Sequence, residues 1–458
     1  MIRDKNKFIE TYNELCSSSE DVSSETIFSY TENYNLNKFE SILDIEDEKL
    51  NNISFLCNKS QNFKMLSIGE IKNYTLCEYS KININDIVQE LVNTTISIND
   101  TSQQNIPLIM CGQNYDINNI NHNIWSDIPS LKYWVPRILL LDNENKTTIT
   151  HLFNINKNVE EITSSIHANH KYIDELLKPN YSDSDTDSSK DIILNSRKFL
   201  IDKNSFIRSI AKIKDHINNS DVSKVVISNI ISCDMDKKPS KSNVIIKLID
   251  RYPTCTSFYY KYNETKYFIG ASPEIILKKE NDIINIDALA GSKSVENKNK
   301  LLNDNKILKE HGFVVQGIID TLKIMNLKSK IGEPYILELK NIAHLKTEIT
   351  SKVDPKLNPL KILDSLVPTA ALSGYPKHSS MEIINNIEEN DRGWYAGPIG
   401  WIDSENNCEF YAALRSAYIN NNKIYFYGGA GIVINSDHDE EWDEIKNKID
   451  TIYNIINE

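Results

Sequence analysis

Apolar positions in the second half of the chain alternate between helical and strand-like spacing. Phe206, Ile210, Ile213 and Ile217 recur every three or four residues, as on one face of a helix, and Asp202 and Asn204 stand where a cap belongs. The next run, KVVISNIIS from Lys224, is rich in β-branched residues and predicts a buried strand. FIGASPEIIL predicts another strand, and KLLNDNKILKEHGFVVQGIIDTLKIM a long helix. YAALRSAYI and KIYFYGGAGIVI predict two more strands, and EEWDEIKNKIDTIYNII a closing amphipathic helix. Strands in runs with helices between and after them predict an α+β fold. No GxGxxG follows a strand, so the regular dinucleotide-binding pattern is absent.

Residues 1–195 have a different texture, rich in Asn and Ser, and form one region; residues 196–458 form the second. Short β-like runs, NIPLIMCG and RILLLDN, flank IWSDIPSLKYWVPR, whose aromatic and Pro residues predict a packed loop. The acidic stretch Tyr181 to Asp191 predicts an exposed, mobile connection.

With 458 residues, the chain can bury a large core without staples. Its formal net charge of -13 argues against a nucleic-acid partner, which calls for a basic face. An anionic small molecule stays compatible, since a site needs only local cations. Seven cysteines, an odd number without a CxxC pair, point to free thiols in a reducing compartment. The N-terminus lacks the apolar core of a secretory signal, and no stretch of about 18 apolar residues occurs. These features predict a cytoplasmic protein without a membrane span.

Several residues could carry chemistry. Glu441, Glu444 and Lys448 fall on one face of the last helix, and Lys306 and Glu310 share a face of the middle one. Carboxylates from two helices can converge on a hard cation, although charged helix faces are also common on surfaces. Gly270, Gly291, Gly428, Gly429 and Gly431 stand at expected strand ends, where they permit close ligand approach or simply turn the chain. Lys224 opens an apolar strand, as a charge reaching solvent or as a partly buried amine usable as a base. Arg415, inside the expected strand AALRSAY, needs an anionic partner, whether substrate or structural acid. Tyr395 can donate a phenolic hydrogen bond or pack, and His311 and His344 suit core positions.

Taken in order, KVVIS, GASPE, LAGS, KEHGFVV, HLKT, PTAALSGYP, RGWYAGPIGWID, ALRSAY and GGAGIVINSDHDEEWDEIKNK resemble the chorismate-binding enzymes. The likeness covers roughly the last 260 residues in family order and spacing, and is looser before them. It implies a layered α/β sandwich of largely antiparallel sheets with outer helices. It implies magnesium held by Glu310 and Glu444 with Glu441 near, Lys224 as the base that activates water, and Glu274 as the acid at the departing C4 hydroxyl. Tyr395 and Arg415, with Gly429 backbone, would grip a substrate carboxylate; Gly291, His344, Thr369 and Lys448 would complete the pocket.

Family members that add ammonia carry Gln where Lys224 stands, so the resemblance implies water as nucleophile, isochorismate as product and no glutaminase subunit. Salicylate synthase shares Lys224 and the same acids and is the alternative; anthranilate or aminodeoxychorismate synthesis and a non-catalytic relative rank below it. The product could serve menaquinone, siderophore or salicylate synthesis, and the chain could act as monomer or homodimer. Four positions depart from the pattern: Asn229 for Arg, Ser292 for Thr, Val367 for His, and Ile307 for an acid beside the metal.

Overall fold

The computed structural model describes residues 5–18, 26–36, 40–45, 51–76, 81–118, 124–143, 146–155, 158–177, 194–340 and 342–458. The acidic stretch Tyr181 to Asp191 lies outside the described residues. Among them the strands form a thirteen-stranded and a ten-stranded sheet. One ladder, Ile27–Asn33 with Ile96–Asn99, is parallel, and the other described ladders are antiparallel. The fold is α+β, as the alternation of runs predicts.

Period-2 patterning explains the layers. In the larger sheet Tyr418 and Tyr427 face a core shared with the smaller sheet, where Met110, Ile399 and Tyr411 meet them. Their neighbours Ala417, Ile419 and Phe426 face the opposite side. There Phe206, Ile210 and Ile213 of the helix Lys203–Asn219, and Ile445, Ile449 and Ile452 of the helix His438–Asn457, cover the sheet. The first of these helices is capped by the side chain of Asp202, which accepts from Ser205 N; Asn204 lies inside the helix. The middle helix, Asn305–Ile324, packs Val314, Ile318 and Leu322 into the inter-sheet core. It begins later than its apolar run suggests, because Asp304 caps it and the residues before form a 3-10 turn.

Both sheets draw strands from either side of residue 195. In the larger sheet Thr256–Asn263 pairs with Ile53–Asn58, and in the smaller Pro398–Asp403 pairs with Pro107–Gln113. The run IWSDIPSLKYWVPR is only partly a loop. Trp125 is buried and stacks on Tyr418 with ring centroids 4.0 Å apart, but Leu131–Val135 is a strand of the smaller sheet.

Two apolar runs expected as single strands each divide between the sheets. FIGASPEIIL gives Lys266–Ser272 in the larger sheet and Ile275–Glu280 in the smaller. YAALRSAYI gives Cys408–Ala412 in the smaller and Ser416–Asn420 in the larger. The divided runs pair with each other in both sheets. At the crossing Ala271 N donates to Arg415 O at 3.2 Å, and Ala412 N to Glu274 O at 3.1 Å. Pro273 has no N–H for a ladder, and Arg415 has φ 49°, so neither continues a strand. Arg415 therefore sits at a corner between sheets, not inside a strand.

Candidate active site

The crossing opens onto a cavity with about 700 Å³ of space free of protein atoms, open solvent at its mouth included. Lys224, Glu274, Gly291, Glu310, His344, Tyr395, Arg415, Gly429, Glu444 and Lys448 all line it. Thr369 stands behind Glu274, its hydroxyl 3.4 Å from the acid's Oε1. Glu441 is buried beside the site, held by Lys306 Nζ at 2.9 Å.

Lys224 is the first residue of the strand Lys224–Met235 and is only 1% exposed. A solvent-seeking strand end is thereby excluded. Its Nζ lies 3.2 Å from Glu310 Oε1, which comes from the middle helix. The neighbouring strand makes room for this pair. Gly428, Gly429 and Gly431 lie within the strand Lys423–Ile432, not past its end, and none has positive φ. Gly431 is needed for space: a Cβ there would stand 2.4 Å from Glu310 Oε1 and 2.7 Å from Lys224 Cε. Gly291 is needed for conformation. It has φ 76° and forms a bulge between the pairs Ala290 to Leu345 and Ser292 to His344.

Glu274, 2% exposed, is the acid of the crossing. Burial and then the charge of Asp287 raise it to about 8, against the opposing pull of Lys224 and Thr369. It is therefore protonated at neutral pH. Asp287 is fixed by Lys346 at 2.8 Å and by Ile275 N at 3.1 Å.

His344 and Arg415 form the opposite wall. Arg415 Nη2 lies 2.6 Å from His344 Nε2, and Ser292 Oγ lies 3.0 Å from Nδ1. A guanidinium only donates, so Nε2 accepts and Nδ1 carries the proton. Burial, with the charges of Arg415 and Lys448, drives the imidazole well below its ordinary pKa, so it is neutral. Arg415 Nη1 is buried without a protein hydrogen-bond partner. Tyr395 stacks on Tyr427 at 5.0 Å, its hydroxyl 3.2 Å from where a Cβ on Gly429 would stand. Lys448 Nζ bridges Glu444, at 2.6 Å, and Gly429 O, at 2.8 Å.

Glu310 and Glu444 could hold a hard divalent cation. Both offer carboxylate oxygens to one cavity, no cysteine lines it, and both nitrogens of its His344 are engaged. Burial works to raise Glu444, but Lys448, Lys306 and Ser292 together hold it below the usual range. Glu441 is pushed up to about 7 by burial and by the charge of Glu444, against Lys306. Such crowding of acids suits a site that gains a cation.

Two departures fall away from this chemistry. Ile307 is buried in a small apolar cluster with Leu301, Ala343 and Leu345, its Cγ2 beneath the Gly291 bulge. Asn229 ties the backbone of Ile201, donating to its carbonyl at 2.9 Å and accepting from its N–H at 3.3 Å. Sequence reasoning missed Asp287 and Arg392. Arg392 lines the cavity, pairs with Glu388 four residues earlier and stacks 4.0 Å over Tyr115. No local spacing signalled that pair, because Glu388 and Arg392 lie beyond the end of the helix Lys377–Ile387. The five cysteines whose side chains are described are buried, and no helix of the described residues is long and apolar enough to cross a membrane.

The chain matches the family model described as chorismate binding enzyme over residues 11–457. It is 27% identical over 355 residues to the isochorismate synthase MenF of Bacillus subtilis (strain 168), covering 75% of this chain and 73% of that protein. It is 32% identical over 240 residues to the isochorismate synthase MenF of Haemophilus influenzae, covering 51% of this chain and 56% of that protein. Its fold is similar to the solved structure of MenF, the menaquinone-specific isochorismate synthase from Escherichia coli. The TM-score is 0.77 over 99% of this chain and 100% of that one, at 20% identity. A family match running through nearly the whole chain, joined to this shared fold, makes the protein a member of the chorismate-binding enzyme family.

Proposed function

We propose that the protein is an isochorismate synthase, which isomerises chorismate by adding water at C2 and releasing the C4 hydroxyl. The observation that carries this reading is a buried amine, Lys224, and a buried carboxyl held protonated at neutral pH, Glu274, lining one cavity. That pairing of acid and base is what the reaction needs. Lys224, as the base, takes a proton from the attacking water. Glu274 gives its proton to the C4 hydroxyl, which leaves as water while the double bonds shift. Solvent then restores both groups, so atoms and charge balance. General acid and base catalysis each contribute typically about 10²–10⁴-fold.

Charge supports a substrate with two carboxylates. Leaving out the base Lys224, the cavity is lined by Arg392, Arg415 and Lys448, against Glu310 and Glu444 once Glu274 is protonated. Arg415 Nη1 supplies an unused donor for a carboxylate oxygen, and Tyr395 a phenol beside it. Magnesium held by Glu310 and Glu444 would bind the ring carboxylate and neutralise charge between acids and substrate. The lysine in place of the glutamine of ammonia-using members supports action without a glutaminase subunit.

Product analysis tests the reading. Purified protein is incubated with chorismate and magnesium, with and without ammonium and EDTA, and products are separated by chromatography. Isochorismate formed reversibly and lost with EDTA is the expected result. Salicylate with pyruvate, or anthranilate formed only with ammonium, would move the protein to another activity of the family. No product at all would make it a binding protein.

A further inference from the structure

A second cluster of ligand-type side chains lies in the N-terminal region, apart from the chorismate cavity. Strand Ile27–Asn33 pairs with Lys146–Asn154 so that Tyr30 stands opposite His151 and Glu32 opposite Ile149. Glu32 lies two residues beyond Tyr30, so it shares a face with His151 as its diagonal neighbour. The helix Val159–Leu176 buries Ile162, Ile166, Asn169, His170 and Ile173, a stripe at helical spacing. Its two polar members meet the strand residues. His170 Nε2 is 2.7 Å from Glu32 Oε1, and Asn169 Nδ2 is 3.3 Å from His151 Nδ1.

His151 is the informative member. It is 0% exposed, and its Nε2 has no hydrogen-bond partner. That nitrogen faces Glu32 Oε1 across 3.6 Å, too far for a hydrogen bond. A simple buried Glu–His pair accounts for His170 and leaves the His151 nitrogen unexplained. Ligand-type atoms of Glu32, His151 and His170 all fall within 4.8 Å of one another. Bonds of 2.0–2.1 Å in a tetrahedral zinc site place neighbouring ligand atoms about 3.3 Å apart, between the two separations seen here.

We propose that Glu32, His151 and His170 form a binding site for a transition-metal dication of the zinc class, separate from the magnesium-type acids of the chorismate cavity. Two imidazoles and one carboxylate suit zinc or cobalt better than magnesium, which prefers oxygen donors. Water fills the fourth position, as in sites with three protein ligands. Burial pushes His151 down to about 4, so it is neutral. Burial would raise Glu32, but its two histidine neighbours hold it well below the usual carboxylate range, so it is ionised. Metal on His151 Nε2 puts the proton on Nδ1, and turning the Asn169 amide end over end presents its oxygen to that proton. His170, with 11% of its side chain exposed, is the least buried of the three and lies nearest the solvent from which an ion would enter. Once bound, the ion would clamp the helix to two strands and stabilise this part of the sheet.

Titration of metal-free full-length protein with Co(II), in excess Mg(II), is the test. One equivalent should bind, with visible absorption of four-coordinate intensity, and Zn(II) should displace it and raise the unfolding temperature. His170→Gln, at the more exposed ligand, should abolish the band and leave chorismate turnover unchanged. Glu310→Gln should keep the band. X-ray absorption of the wild-type zinc form should show two imidazoles, an outcome independent of whether variants fold. Absence of the band in wild type would overturn the proposal. So would a band lost in Glu310→Gln and kept in His170→Gln, which would assign the metal to the chorismate cavity.

Discussion

Arg415 Nη2 meets His344 Nε2 at 2.6 Å, and this contact orients the guanidinium so that Nη1 is buried and unpartnered at the cavity. The corner between sheets places Arg415 there, and the neutral imidazole holds it without neutralising its charge. Hydrogen bonds to charged groups contribute about 1.5–3 kcal/mol. Arg415→Ala should therefore lower kcat/KM for chorismate by about 10- to 150-fold. Arg415→Lys should recover little, because an ammonium lacks the planar fork that spans His344 and a carboxylate. Steady-state kinetics check both; wild-type values in Arg415→Lys would remove the carboxylate grip.

Glu274 titrates near 8 and acts as an acid only while protonated. The acid form is lost, and activity should fall, as pH rises through about 8. Asp287 is one cause of the elevation, so Asp287→Asn should move the basic limb of kcat/KM to lower pH. The loss also leaves Lys346 uncompensated, which pulls in the same direction. A limb that stays in place in Asp287→Asn would assign the titration to another group.

Gly431→Ala tests the space that the Lys224–Glu310 pair occupies. The added methyl would sit 2.4 Å from Glu310 Oε1 and 2.7 Å from Lys224 Cε, so both must move. Overpacking of this kind costs about 1–3 kcal/mol of stability. Displacing the base by an ångström costs about 100-fold in rate. Circular dichroism should show a folded protein with turnover down by about that factor. Normal turnover would mean that the position of Lys224 is not critical.

Lys224→Ala should remove water addition and leave chorismate binding largely intact, as read by calorimetry beside a turnover assay. Glu310→Gln should weaken magnesium dependence and activity together. An unchanged magnesium titration in that variant would show that Glu310 is not a ligand.

Much of the element pattern was legible because local period reports burial. The helices carrying Phe206 and Ile445 emerged from spacing and the strand from Lys224 from its β-branched residues, and ordered motifs singled out residues that line the cavity. The division of FIGASPEIIL and YAALRSAYI between sheets was not legible. Both halves of each run are buried, so their hydropathy is continuous, and only strand partners reveal which sheet each half joins. The strand in IWSDIPSLKYWVPR was hidden by the prolines and aromatics around it.

By itself the sequence determined the residue types at the site, the α+β alternation and the family, since these reside in side-chain chemistry and local order. Tertiary structure decided that Lys224 is buried against Glu310, that Glu274 and Arg415 face one cavity from a single crossing of two sheets, and that Ile307 is buried in a small apolar cluster. It also decided that Glu32, His151 and His170, separated by up to 138 residues, come within ligand distance of one another. Burial, charge and close approach depend on neighbours distant along the chain. Those neighbours, more than the residue types, determine whether Glu274 is an acid and whether Arg415 has a donor to spare.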